Sequence, residues 1–383
     1  MTDGTGMRDA ARGVRPARVA IVHDWLTGMR GGEKVLEEIC ALYPDAPIYT
    51  LVHDEGSVSK AIESHPIRPS WAQRLPGARR WYRHYLPLYP FVVETIDLDD
   101  YDLVISSSHC AVKSVRKRAG ATHVCYCHSP MRYAWDQFPA YFGPEQVGVV
   151  GNALLRPVMG ALARWDAATA RRPDRFLANS QYVAGRIRRY YNRGSTVVYP
   201  PVDTEYFQPP SAGATRERSA LVVSGLVPYK RIDVAIEAAR LAGVSVRIVG
   251  RGPEEDRLRR RAAGAPVEFL GWLSEDKIRT LYQTSSVFLL PGVEDFGIAP
   301  VEAQACGLPV VALNEGGAQE SVIDGVTGAL VPEGAAALAD GIRRVLDGLP
   351  DRGAIRRNAE RFSRDVFRKA FSDAVSEADG TPA

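Results

Sequence analysis

Short apolar runs rich in β-branched and aromatic residues recur along the chain, each followed by a stretch of helical period. The first series reads ARVAIVHD (17–24), PIYTLV (47–52), DLVISSS (102–108), THVCYCH (122–128), RFLANS (175–180) and STVVYPP (195–201). The second reads SALVVSGL (219–226), VSVRIVG (244–250), PVEFLG (266–271), SVFLLPG (286–292), PVVAL (309–313) and GALVP (328–332). Runs such as SVFLLP are apolar at successive positions, as strands buried on both faces of a parallel sheet are. Strands alternating with helices predict an α/β fold, and two series predict two parallel-sheet domains. Between them, PPVDTEYFQPPSAGATRER (200–218) is rich in Pro, Gly and small polar residues and marks the expected boundary. The first domain is expected over 17–205 and the second over 206–355. The segment 352–378 reads as helical, giving a C-terminal helix at 356–380, and residues 1–16 are expected to be disordered.

Composition narrows the function classes. A chain of 383 residues, 45% hydrophobic and 24% charged, can bury two medium cores. A net charge of +3 is too small to imply nucleic-acid binding unless it is concentrated locally. Five cysteines, mostly inside apolar runs, read as reduced buried thiols. The chain has no apolar run of bilayer length and no apolar core near its start, so a cytoplasmic protein is expected.

In open parallel sheets, ligands lie beyond the carboxyl ends of the strands. The segment LLPGVEDFGIAPVEAQACGLPVV (289–311) follows one such strand and opens a helix, with Glu294 and Glu302 separated by seven residues. Gly297 loosens the turn, and Pro300 is tolerated in a first helical turn. Backbone N–H groups near Phe296, Gly297 and Ile298 should therefore point into a cleft. A carboxylate accepts hydrogen bonds from the adjacent hydroxyls of a vicinal diol, so the two glutamates suit the hydroxyl-rich parts of a ligand. Cations for phosphate appear in SGLVPYKRID, at Lys230 and Arg231. Gly31 and Gly32 turn the first strand into a helix, and His128 ends another strand. Each feature also has a plain structural explanation: acids near a helix start, a solvated charge pair, a turn. Cys125 and Cys127 fit strand alternation of core cysteines better than a metal site.

Together, the Gly-Gly turn, CHSPMRYAWD, LVPYKRID and the E-x7-E segment resemble the retaining nucleotide-sugar glycosyltransferases of family 4, with the GT-B fold, over about residues 18–350. The resemblance implies two Rossmann-like domains facing a central cleft, with the C-terminal helix packed back on the first. It implies that Glu302 holds the nucleotide ribose and that Glu294, with the backbone of Phe296 to Ile298, binds the donor sugar. Lys230 would bind the diphosphate, His128 would approach the transferred sugar, and Gly31 and Gly32 would let backbone N–H groups approach diphosphate or acceptor. One departure stands out: relatives carry Arg where this chain has Gly225, and Arg231 or another cation is expected to replace that charge.

Two D-x-D triplets, Asp97/Asp99 and Asp100/Asp102, precede a strand rather than follow one, so no metal is expected. Residues 67–93 carry Arg68, Arg74, Arg79, Arg80 and Arg83, interleaved with Trp71, Trp81, Tyr82, Tyr85 and Tyr89, and contain no acid. This suits peripheral contact with an anionic membrane or lipid-diphosphate acceptor, or else a solvated arginine face over an aromatic core stripe. The expected reaction moves a hexose, mannose from GDP-mannose by resemblance, to a glycan or lipid-linked acceptor of the cell envelope. A UDP-sugar donor, a nucleotide-sugar epimerase and a catalytically weakened nucleotide-sugar-binding protein are the alternatives.

Overall fold

The computed structural model describes residues 17–138, 142–211, 216–348 and 351–379; the expectation for residues 1–16 lies outside them. Two parallel sheets form two domains. The first sheet has seven strands: β1 (Val19–Leu26), β2 (Ile48–His53), β3 (Ile67–Pro69), β4 (Leu103–Ser108), β5 (Thr122–Cys127), β6 (Arg175–Ala178) and β7 (Thr196–Val197). Their spatial order is β3-β2-β1-β4-β5-β6-β7. The second sheet has six: β8 (Ser219–Val223), β9 (Ser245–Val249), β10 (Val267–Gly271), β11 (Val287–Leu290), β12 (Val310–Leu313) and β13 (Gly328–Val331). Their order is β10-β9-β8-β11-β12-β13. In both sheets the order reverses beside the first strand, and crevices for ligands open at such switch points.

Every apolar run named above carries a strand. STVVYPP does so only over Thr196–Val197, because Pro200 and Pro201 lack the N–H groups a ladder needs. The edge strand β3 falls inside the basic aromatic segment, where three residues paired to Ile48–Thr50 are too few to show a period. Beyond β3, that segment folds as short helical turns. Tyr82, Leu86, Tyr89 and Val92 are buried in a core with Trp25, whereas Trp71, Trp81 and Phe91 face outward. The aromatic stripe is thus partly core and partly surface. The aspartates at 97–102 sit at the amino end of β4, where Asp102 pairs with Arg118.

The C-terminal segment forms two helices. Arg352–Glu360 stays with the second domain, where Ala359 and Phe362 join the core around Phe296 and Val301. The chain then breaks at 361–363, where Val202 N–H donates to Phe362 C=O at 2.8 Å. The helix Arg364–Asp379 crosses to the first domain. There Phe367 and Phe371 pack on Tyr126, with ring centroids 5.9 and 6.2 Å away. Arg364 and Arg368 close on the buried Glu38 of helix Gly31–Leu42 at 3.1 and 2.6 Å. The last helix therefore straps one domain to the other. Phe371 is fully buried, so Phe371→Ala is expected to cost about 3–5 kcal/mol in urea unfolding.

Candidate active site

The carboxyl ends of the two sheets face each other across a cavity of about 420 Å³. Its first wall comes from the residues that follow β1, β4 and β5. After β1 the chain turns through Gly28 into the helix Gly31–Leu42, whose capping box has Arg30 N–H donating to Glu33 Oε2 at 2.9 Å. A Cβ on Gly31 would stand 3.0 Å from Ile298 Cδ1 of the other domain, close enough that this side chain would have to shift. A Cβ on Gly32 would meet His128 Nε2 at 3.7 Å. The carboxylate of Asp24, fully buried in β1, accepts the four consecutive N–H groups of residues 109–112 at 2.7–3.0 Å. This fixes the loop after β4 and seats His109 against Trp25, with ring centroids 4.6 Å apart. His128 follows β5, its Nε2 2.8 Å from Ser107 Oγ. Burial, together with the nearby His109, His23 and Arg132, holds its pKa well below the ordinary histidine value, so the ring is neutral.

The opposite wall comes from the residues after β8 and β11. Gly225 lines the cavity, and a Cβ there would meet nothing within 4 Å. The turn Pro228–Lys230 brings Lys230 against Glu294 Oε1. Burial and then the guanidinium of Arg132 push the Lys230 ammonium down, with Asp295 pulling the other way, while the contacting Glu294 carboxylate favours its charged form. Gly297, at φ +87°, opens the helix Ile298–Ala305, and Phe296, Gly297 and Ile298 all line the cavity beside that first turn.

Glu302 is brought near this group but does not line the cavity. It is buried, accepting from Tyr282 OH at 3.0 Å on one oxygen and from Lys34 Nζ at 2.8 Å on the other. Lys34 belongs to the first domain and also reaches Glu275 Oε1 at 2.8 Å. Arg231 is the residue the structure does not bring in. At φ 52° and ψ 40° its backbone is left-handed, ending one turn and starting a helix, and its guanidinium goes to Glu333 at 2.6 Å. Arg132 of the first domain lines the cavity with Lys230, as do Arg30 and Arg83, so of the expected Arg231 or another cation the structure places other cations there and not Arg231.

Arg132 and Arg186 both close on Asp295, with Arg186 NH1 at 2.8 Å. Burial raises the Asp295 carboxyl and the two guanidinium groups more than offset it, so it stays below the usual range. Ser180 Oγ donates to the Asp295 carbonyl at 2.6 Å, and Glu320 of the second domain accepts from Gln181 and Tyr182 N–H at 2.7 and 3.0 Å. Sequence reasoning missed Asp24, His23, Glu33, Lys34, Ser107, Arg132 and Asp295. Their only local signal is adjacency: Glu33 and Lys34 complete GGEK, and Asp295 follows Glu294.

A polar cavity between two facing parallel-sheet domains, with a cation, a carboxylate and a helix start on one wall, defines the GT-B class of glycosyltransferases. Residues 29–206 match the family model "Glycosyltransferase Family 4", and residues 204–362 match "Glycosyl transferases group 1". The two matches tile nearly all of the described chain, and the protein belongs to the family 4 glycosyltransferases of GT-B fold. It is 35% identical over 236 residues to the D-inositol 3-phosphate glycosyltransferase of Mycolicibacterium smegmatis, covering 53% of this chain and 54% of that protein. It is 32% identical over 244 residues to the Streptomyces bingchenggensis protein of the same name, covering 54% and 53%. The chain thus spans about half the length of these curated relatives. Among solved structures, Anabaena Alr3699/HepE in complex with UDP-glucose superposes with a TM-score of 0.68 at 21% identity, over 94% of this chain and 99% of that one. The lipopolysaccharide outer core galactosyltransferase WaaB superposes with a TM-score of 0.64 at 18% identity, over 94% and 99%. At these identities the solved structures speak to the fold.

Asp295→Asn removes the charge shared by Arg132 and Arg186 and leaves buried cations without it. It is expected to cost about 3–5 kcal/mol in chemical denaturation, more than Arg132→Met in the same assay.

Proposed function

We propose that the protein is a retaining hexosyltransferase that takes mannose from GDP-mannose and places it on a glycan or lipid-linked acceptor of the cell envelope. The observation that carries the transferase reading is the convergence of Lys230, Glu294, His128 and the first turn of helix Ile298–Ala305 on one cavity between the domains. Departure of a nucleoside diphosphate develops negative charge, which Lys230, Arg132 and the helix start stabilise. An arriving diphosphate also favours the charged form of Lys230, and Glu294 is then released to accept from sugar hydroxyls. Glu302 takes the ribose diol in exchange for the ammonium of Lys34. Holding donor and acceptor together supplies proximity, and same-face attack uses the leaving phosphate as base. The D-x-D aspartates take no part in this reading: they lie at the amino end of β4 and are not among the cavity's lining residues.

The competing donor is a UDP-sugar, favoured by the UDP and UDP-glucose complexes of HepE. Thermal stabilisation by GDP, UDP, ADP and their sugar conjugates decides between them. GDP-mannose is expected to raise the melting temperature and Glu302→Ala to abolish the shift; a shift with UDP-glucose alone transfers the assignment to that donor. Release of nucleoside diphosphate only when acceptor is present separates a transferase from an epimerase.

The acceptor side supports contact with an anionic membrane. Trp71, Trp81 and Phe91 are exposed, and Arg74, Arg79 and Arg80 lie among them in sequence. Arg83 instead lines the cavity, where it suits an anionic acceptor. Among the described residues no helix is long and apolar enough to cross a membrane. The protein is expected to sediment with phosphatidylglycerol vesicles at low salt and to be released at high salt; indifference to such vesicles rules the contact out.

A further inference from the structure

His128 is the last member of a row of polar groups that crosses three neighbouring strands at their carboxyl ends, and the reaction as proposed uses none of the others. His23 of β1 stands opposite Ser107 of β4 in the parallel ladder, and β5 lies on the other side of β4. Ser107 Oγ is 3.0 Å from His23 Nδ1 and 2.8 Å from His128 Nε2. At the far end, His23 Nε2 has no hydrogen-bond partner and faces Glu33 Oε1 at 3.8 Å. His23, Glu33 and Ser107 are all buried.

With a neutral His23, one arrangement of protons suits this row. A carboxylate only accepts, and a bare imidazole nitrogen turned toward it would set lone pair against lone pair. His23 Nε2 therefore carries the proton, and Nδ1 accepts. Ser107 has a single hydroxyl proton, which goes to His23 Nδ1, so toward His128 its oxygen can only accept. His128 Nε2 must then be the donor, which leaves Nδ1 of the neutral ring with its lone pair. The reverse arrangement aims the bare nitrogen of His23 at Glu33, a carboxyl that burial raises and that its partners, Arg30 among them, hold below its ordinary value.

We propose that Glu33, His23 and Ser107 are positioning residues that hold His128 in its Nε2-protonated tautomer, keeping Nδ1 as a hydrogen-bond acceptor for the transferred sugar. The sugar contact rests on the role given to His128 above; the tautomer does not. Because Glu33 also closes the capping box of the cleft-facing helix through Arg30 N–H, the Gly-Gly turn and the histidine are tied to one carboxylate. A side chain that orients and fixes the tautomer of a working histidine has precedent in hydrolytic triads.

The test uses full-length protein with ¹⁵N-labelled histidine rings. Two-bond ¹H–¹⁵N correlation reports the tautomer of each ring, and the His128 signals are those lost in His128→Gln. The expected result is protonated Nε2 and bare Nδ1 for His128. Ser107→Ala should give a tautomer mixture, while Ser107→Thr keeps the wild-type pattern. His23→Asn, whose amide oxygen can accept at the Nδ1 position, should keep more of that pattern than His23→Leu. A His128 protonated on Nδ1, or a pattern indifferent to Ser107→Ala in a variant whose other histidine signals and melting temperature are unchanged, overturns the proposal. In turnover of GDP-mannose or UDP-glucose, Ser107→Ala is expected to lower kcat about tenfold with KM little changed. If the tautomer shifts while kcat stays at the wild-type value in both Ser107→Ala and His128→Gln, the role of His128 toward the sugar is what fails, and with it the positioning role.

Discussion

Asp295 is the point on which the two halves of the molecule turn. It follows Glu294 immediately and is held by Arg132 and Arg186 of the first domain, while its carbonyl accepts from Ser180. A carboxylate taken out of water needs such partners, and here they come across the domain seam. The same seam carries Lys34 on Glu302 and Glu320 on the start of helix Gln181–Tyr191. These charge pairs and hydrogen bonds join apolar contacts such as Phe367 and Phe371 on Tyr126. Such an interface closes tightly but can exchange partners with a polar ligand, which a wholly apolar seam could not do.

Around the cleft, charged groups satisfy one another: Lys230 pairs with Glu294, and Lys34 with Glu302. Each carboxylate has a cation against it, as a carboxylate taken out of water requires. The C-terminal helix spans the seam, and the sheets on either side are closely packed.

The first wall is more rigid. Asp24, with four backbone N–H donors, and the row from Glu33 to His128 are built into the ends of adjacent central strands. Such networks are costly to leave half satisfied and therefore specify one arrangement. Charge pairs thus lie at the seam and hydrogen bonding at the strand ends.

The strands were legible because burial on both faces leaves an unbroken apolar run, and the turns because glycine and proline mark them locally. Glu294, Phe296, Gly297, Ile298 and Glu302 lie on one strand-to-helix segment, so their proximity followed from spacing alone. Tertiary structure alone decided which groups they meet. Lys34 and Glu302 are 268 residues apart, His23 and Ser107 are 84 apart, and Arg231, expected near the phosphates, pairs with Glu333 instead, while Arg132 lines the cavity. Arg83, read as one of a basic surface run, lines the cavity instead. Periodicity and turn chemistry act over a few residues and are written in the sequence. Ladder register and the approach of two domains depend on packing between distant segments, and that packing sets which charge neutralises which.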